Sequence, residues 1–574
     1  MLDFKGVTLV EGQAEGAILH ADVPISFWGG IDPATGAVID RSHPLFGETV
    51  AGRILAIPAG RGSCTGSSVM MELISNGHAP AGLVVSRREE ILTLGVIVAE
   101  ELFGRSIPVL ELDPADFARL ASGGRAAMAG NRLTTGEAHR EPVSQDSPVD
   151  VPDPAVALTE RDRAMLDGAV SEAARLAMKV VLRMAALQGA PDLIDVTRAH
   201  IDGCIYTGPA SLRFAETLRD MGGRVCVPTT LNAISVDQRR WREQGTDPAL
   251  ALPASDLADA YVAMGARPSF TCAPYLLEGA PLAGEDIAWA ESNAVVYANS
   301  VLGARTMKYP DYLDLCIALT GRAPRAGCHV AENRQATQIV AVDLPDAGAD
   351  DSLYPLLGYA AGLAAPAGIP LITGLERLSP SPDDLKAFSA AFGTTSGAPM
   401  FHMAGQTPEA AGCIDPARHL PRVTVGPAAL QAAFRMLNSA PGEAVDLVAL
   451  GNPHFSLEEF RRLATLARGR TVHPAVALVV TTGRATLDRA EREGLAAELA
   501  DFGARLVTDA CWCTVSEPVV PPAARTILTN SAKYAHYGPG LTGRLLRFAS
   551  LADCVEAAVT GRLVHRVPDW IVNG

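Results

Sequence analysis

The sequence predicts an α/β protein: a small β/α domain followed by a large multi-lobed α/β part with mainly parallel sheets. Three observations carry this. Strand-like and helix-like segments alternate through the C-terminal third at the spacing of βαβ units. Between Gly130 and Pro154 the chain turns polar and proline-punctuated (EPVSQDSPVDVPDP), a linker composition. At 574 residues it is also too long for one ordinary core. The expected division is a small domain over residues 1–130, a linker over 131–157 and the large part over 158–574.

From Met1 to Leu112 the pattern is strands and short turns, FKGVTLVEG, GAILHAD and ISFWGGIDPATGAVID, with Asp32 to Gly36 as a turn signal. Ile54 to Pro58 reads as a short strand and Ser67 to Asn76 as a helix stopped by Gly77. GLVVS, an apolar helix-like stretch from Glu90 to Leu102 and IPVLEL follow, which fits a small α/β or barrel-like domain.

Between that strand and helix lies Gly60 to Ser68, GRGSCTGSS. Glycines and hydroxyl side chains at a helix N-terminus let backbone N–H groups face an anion, which the helix dipole also favours. A strand-to-helix turn needs glycine on steric grounds alone, but here Ser63, Cys64, Thr65, Ser67 and Ser68 crowd one turn. The spacing is G-x-G-x-x-x-G with no Gly-Lys-Ser/Thr, so neither a dinucleotide fingerprint nor a P-loop is present.

Beyond the linker, Thr159 opens a helix through an approximate Thr-x-x-Asp capping box, and the apolar period runs to Gly189. CIYTG, RVCVPT, SFTCAPY, AVVYANS, QIVAVDL and PLITGL read as strands. The C-terminal third is the most regular: VDLVALGNPHFS, a helix capped by Ser456 and Glu459, VALVVTTG, a charged helix to Phe502, ARLVTDACWC and TILTNSAKYAHYGPG. Ligands of open α/β sheets bind beyond the carboxyl ends of strands. That rule sets Asn452 to His454, Thr481 to Gly483, Cys511 to Cys513, and Asn530, Ser531 and Lys533 at the mouths of one crevice.

Composition excludes several partners. With 48 basic and 64 acidic residues the formal charge is −16, which argues against nucleic acid or an anionic membrane surface. No apolar run is long enough to span a bilayer, and MLDFKGVTLVEG has no basic region followed by an apolar core, so a cytoplasmic protein is expected. The 10 cysteines are scattered apart from Cys511 and Cys513, which suits reduced thiols. Cys204, Cys226, Cys316 and Cys554 read as buried small hydrophobes. Cys272 and Cys511 fall at strand ends, where thiolates from different strands could ligate zinc or an iron–sulfur cluster. His454 and His536 lie in no His-x-x-x-His pair and read as hydrogen-bonding or core histidines.

Long segments resemble the aconitase X family. GGIDPATGAVIDRSHPLFG, GRGSCTGSS and NGHAPAGLVV are similar to its small swivelling subunit; FTCAPYLL, ESNAVVYANSVLGARTMKYPDY, TGRAP, GNPHFSLEEF, TDACW and TNSAKYAHYGPG are similar to its large one. The resemblance covers nearly the whole chain. It implies an aconitase superfamily dehydratase with an iron–sulfur cluster in the large part and a catalytic serine, here Ser63, on the swivel domain. Archaeal two-subunit members are phosphomevalonate dehydratases. Bacterial single-chain members are cis-3-hydroxy-L-proline dehydratases, which make a pyrroline carboxylate and are associated with a [2Fe-2S] cluster. The order small then large in one chain favours the latter, with a small carboxylate as substrate and no separate small subunit.

Carried onto this sequence, the resemblance implies substrate contacts from Gly62, Thr65, Ser67, Ser292, Asn293, Asn452, His454 and Lys533, and cluster ligands at Cys272, Cys511 and Cys328, with Cys513 the competitor for the third place. One departure stands out: the archaeal pattern has Gly-Cys-Pro-His where this chain has Gly451-Asn452-Pro453-His454. The expected chemistry is removal of an α-proton by Ser63 while an iron takes the hydroxyl. The alternatives are phosphomevalonate or another hydroxy acid as substrate, and a non-catalytic iron–sulfur protein that binds a ligand. The basic groups in the candidate loops, Arg61, Arg305, Lys308 and Lys533, are few for a phosphorylated substrate.

Overall fold

The computed structural model describes residues 2–41, 43–136, 156–344, 348–415, 418–564 and 567–572. Its first eight strands are β1 (Leu2–Lys5), β2 (Val7–Val10), β3 (Gln13–His20), β4 (Ile54–Ala56), β5 (Gly82–Val85), β6 (Val109–Glu111), β7 (Arg125–Ala129) and β8 (Arg132–Thr135), hydrogen-bonded in the order β1-β8-β7-β3-β4-β5-β6-β2. β1 and β2 stand at opposite ends of this order yet only Gly6 separates them in sequence, so the sheet curls round and closes on itself. A Cβ at Gly6 would come within 2.3 Å of the Glu111 carbonyl oxygen, so the corner admits only glycine. Phe4, Ile18, Ile54, Val84, Leu110, Met128 and Leu133, from seven different strands, turn inward and fill the barrel. The expected barrel-like domain is thus found, and β8, which the sequence reading assigns to the linker, is one of its staves. Residues 137–155 of the expected linker lie outside the described residues.

Two helices cover the parallel strands, α1 (Gly66–Asn76) and α2 (Ile91–Phe103), close to the expected spans. Their outer faces join the core of the large part, where Val69, Met70 and Val96 share one apolar cluster with Met178, Phe214 and Tyr312. Polar contacts sit across the same joint. Glu72 accepts the N–H of Ala210 at 2.8 Å, Arg183 reaches Glu100 and Glu101 at 3.1 Å each, and Gln188 donates to Glu90 at 2.7 Å.

The large part has three lobes. The first holds a parallel sheet ordered Thr229–Leu231, Ala199–Ile201, Ala288–Trp289, the second a four-stranded parallel sheet and the third a five-stranded parallel sheet centred on Leu447–Phe455. Local signals explain most boundaries. Thr159 and Ser456 form the expected capping boxes with Asp162 and Glu459. The helix expected to run from Thr159 to Gly189 is two, Glu160–Leu166 and Glu172–Gln188, because Ser171 caps a fresh start. AVVYANS is helical and not a strand: Glu291 accepts the N–H groups of Asn293 and Ala294 and starts the helix Ser292–Tyr297. CIYTG is a loop, SFTCAPY is a loop that runs into the 3-10 turn Pro274–Leu276, and RVCVPT reaches a strand only at Thr229. Cys204, Cys316 and Cys554 are buried as expected; Cys226 is exposed, beside the guanidinium of Arg161.

Candidate active site

A small enclosed cavity forms where all four bodies meet. The barrel contributes Trp28, Ser63 and Thr65; the first lobe Asp202, Asn232, Cys272, Glu291 and Ser292; the second lobe Thr394; the third Cys511, Cys513, Lys533 and Tyr537. It leaves about 40 Å³ for the centres of water-sized molecules.

The Ser63 loop is delivered by the turn between β4 and α1 and is pinned to the first lobe. Cys64 donates its S–H to the Ala290 carbonyl at 2.9 Å, the N–H of Asp311 reaches the Cys64 carbonyl at 3.3 Å, and Ser68 donates to the Tyr312 hydroxyl at 2.7 Å. The loop also organises itself. Ser63 Oγ receives the Thr65 N–H at 3.2 Å and lies 3.0 Å from Thr65 Oγ1, while the N–H groups of Gly66 and Ser67 return to the carbonyls of Ser63 and Cys64. The donors expected to face an anion are therefore partly used inside the turn. Gly62, at φ +86°, brings the loop against Tyr537, whose hydroxyl a Cβ would approach to 3.2 Å.

Opposite stands a wall of sulfur. Cys272, Cys511 and Cys513 line the cavity, Cys511 in contact with each of the others. Contact with Cys272 and burial push the Cys511 thiol up, and contact with Cys511 and burial do the same to Cys513. Cys272 Sγ accepts the His454 N–H at 3.3 Å, and Cys513 Sγ accepts the Asn452 amide at 3.4 Å. No group of three or more His, Cys, Asp and Glu side chains among the described residues is placed to hold a single metal ion. Cys328 is not part of this wall. It packs on Met307, Ile369 and Met400, its N–H meets the Met307 sulfur, and its carbonyl accepts from Arg334.

Lys533 is the cavity's cation. Its ammonium meets Glu291 at 2.6 Å with both side chains nearly buried. Burial opposes the charge, yet Glu291 and the three thiols win and hold the ammonium well above the ordinary lysine range. Arg61 pairs with Asp40 at 3.0 Å, and neither it nor Arg305 nor Lys308 lines the cavity.

Of the residues named from sequence, Ser63, Thr65, Ser292, Lys533, Cys272 and Cys511 thus meet at one cavity. Ser67, Asn293, Asn452 and His454 stand behind its walls. Ser67 donates to the Cys64 carbonyl at 2.9 Å; Asn293 donates to the Cys272 carbonyl at 2.9 Å; His454, buried and with its pKa lowered to about 4, bridges Thr271 and the Ala510 carbonyl. Asp202, Asn232, Glu291, Trp28 and Tyr537 were not anticipated. A polar residue directly after a strand, as in AHI-Asp202 and TTL-Asn232, was the available signal for two of them.

The architecture defines a class: an α/β protein in which a closed barrel presents a serine loop to a thiol-lined cavity in a three-lobed body. Models of the aconitase X swivel, first, second and third domains match residues 3–135, 155–332, 336–435 and 445–560 in turn. The chain belongs to the aconitase X family. It is 58% identical to the cis-3-hydroxy-L-proline dehydratase of Pseudomonas aeruginosa over 98% of both chains, and 54% identical to that of Hypocrea jecorina over 99% of this chain and 97% of the relative. The crystal structure of Thermococcus kodakaraensis aconitase X in its holo-form aligns at a TM-score of 0.64 and 29% identity, covering 70% of this chain and 100% of that one. Among the described residues no helix is long and apolar enough to cross a membrane.

Proposed function

We propose that this protein is a hydro-lyase that dehydrates cis-3-hydroxy-L-proline to pyrroline-2-carboxylate. The observation that carries the reading is the single cavity that faces Ser63 with Lys533 and three thiols, in a chain alike from end to end to dehydratases of that substrate. A lone cavity-lining ammonium suits a carboxylate better than a phosphorylated acid.

In this reading Ser63 takes the α-proton. A serine hydroxyl is a weak acid; the Thr65 N–H already points at Ser63 Oγ, and the Thr65 hydroxyl, which accepts from neutral Ser63, turns to donate to its anion. Lys533 and Ser292 hold the substrate carboxylate, and Trp28 and Tyr537 close the cavity against water. Loss of hydroxide leaves an enamine, which tautomerises to the cyclic imine.

The donor set fits an iron–sulfur group: three soft thiols on one wall, two of them made hard to ionise by crowding that a cation relieves. Cys272, Cys511 and Cys513 would hold it, in place of the set with Cys328, and the type we propose is [2Fe-2S] on the resemblance to bacterial single-chain members. When bound it supplies an electrophilic iron for the departing hydroxyl. Dehydration assays on cis-3-, trans-3- and trans-4-hydroxy-L-proline and phosphomevalonate, with iron and sulfide analysis of anaerobically purified protein, test the proposal. Turnover of the cis-3 isomer is expected; turnover of phosphomevalonate alone, or a cluster with no turnover of any hydroxy acid, overturns it.

A further inference from the structure

On the cavity wall one buried acceptor lacks a donor, and the carboxyl beside it is crowded by other carboxyls. Asp202 and Asn232 follow directly on the parallel strands Ala199–Ile201 and Thr229–Leu231, whose last residues Ile201 and Leu231 are register partners. Both side chains therefore emerge side by side at the carboxyl end of the sheet, and both line the cavity. They are 3% and 4% exposed, so water does not satisfy them from outside.

The Asn232 amide is oriented by its N–H, which donates to Asp202 Oδ1. Turning it round would set oxygen against oxygen. The Asn232 Oδ1 that remains is buried and has no hydrogen-bond partner. Asp202 makes no ion pair of its own: Lys533, the cavity's ammonium, meets Glu291 and keeps further N–H donors for a carboxylate, while its charge only partly offsets the burial of Asp202. Behind Asp202 stand further carboxyls, Asp314, which accepts its backbone N–H at 2.5 Å, and Asp311. Burial, Glu291 and Asp314 raise the Asp202 pKa to about 8, so without a cation it holds its proton; the unpaired acceptor and the crowded carboxyl are both relieved by a cationic donor.

A group with positive charge and two N–H donors would serve both, one N–H for the open Asn232 oxygen and one, with the charge, for Asp202. A secondary ammonium in a ring has both. Resting on the substrate reading above, we infer that Asp202 and Asn232 receive the ring nitrogen of the substrate, one N–H going to each, and that this pair makes the site select a cyclic amino acid over a nitrogen-free hydroxy acid. The substrate is then held at two points of opposite charge, its carboxylate at Lys533 and its ammonium at Asp202, which fixes the α-carbon between them before Ser63.

The test compares L-proline with cyclopentanecarboxylate, which differ by NH₂⁺ against CH₂, as ligands of the full-length, cluster-loaded protein, by calorimetry. Proline is expected to bind at least roughly tenfold tighter to the wild type, the worth of a charged hydrogen bond. Asp202→Asn and Asn232→Leu should each bring the two ligands to within about threefold while leaving cyclopentanecarboxylate affinity unchanged. Asp202→Asn also removes one of three crowded carboxyls, so its melting temperature should not fall; if it fails to fold, Asn232→Leu decides. Equal binding of both ligands by the wild type, or a proline preference that survives in the variants, overturns the assignment. Dehydration of cis-3-hydroxy-L-proline is measured alongside. Turnover with the preference intact in both variants refutes only the ammonium site. A preference lost in the variants without wild-type turnover upholds that site and refutes the hydro-lyase reading.

Discussion

Asn452 donates its side-chain N–H to the sulfur of Cys513 at 3.4 Å. Asn452, at the end of the central strand of the third lobe, thus orients the cysteine two positions after Cys511. In the ligand set proposed above the third thiol is Cys513, which Asn452 holds in place while Ser531 supports Asn452 from behind at 3.4 Å.

This leads to a test of the ligand set. Cys513→Ala should lose the iron absorbance and bound sulfide of the anaerobically purified protein, as should Cys272→Ala and Cys511→Ala. Cys328→Ala should retain them, since that thiol packs among Met307, Ile369 and Met400. Full iron retention in Cys513→Ala would remove it from the set.

Ser63→Ala should lower kcat by about 10²–10⁴ with KM nearly unchanged, the signature of a lost base. Thr65→Val removes the hydroxyl 3.0 Å from Ser63 Oγ but keeps the backbone N–H, and should cost about tenfold in kcat. A variant of Ser63 that raises KM alone would make it a binding group.

Glu89, packed against Gly60 at the start of the serine loop, gives a pH test. Its carboxyl accepts the N–H groups of Leu92 and Thr93 at 2.7 and 3.2 Å, but burial, aided by Glu90, raises its pKa to about 7 from 4.5. The folded state binds this proton more tightly than the unfolded chain. The stabilisation it brings is complete below pH 4.5 and is lost as pH rises to about 7, roughly 3 kcal/mol in all. Glu89→Gln mimics the protonated form. Its melting temperature relative to wild type should climb between these values and level off above them; a gap independent of pH would contradict the burial argument.

Residues 1–136 and 156–574, expressed together as two chains, should co-purify and recover activity. Their joint is a shared apolar core bordered by Arg183, Glu100 and Glu101, and among the described residues no strand crosses it. Failure to associate would show that the tether contributes more than proximity.

How much of this was legible in the sequence follows range. Thr159 with Asp162 and Ser456 with Glu459 act over three residues, and both caps were readable. AVVYANS was misread because a fully buried apolar run has no period to separate strand from helix, and its cap, Glu291, is an uncommon residue for that role. The Ser63 loop announced itself through local density of glycine and hydroxyls. Asp202, Asn232 and Glu291 gave no such signal, since each is a lone polar residue made meaningful by partners far along the chain. Cys328 and Cys513 were indistinguishable for the same reason; only the fold puts one beside Cys511.

Gly6 lets a single short run of chain serve as both the first and the last stave of the barrel. A ring closed in this way confines its unpaired edges to two four-residue strands, β1 and β2, whatever it is attached to. Such a body can be tethered to a partner or released from it without rebuilding its hydrogen bonds. Fusion and fission of genes encoding it are thereby structurally neutral events, and the geometry of its docking face, rather than the covalent link, becomes the property that selection must preserve.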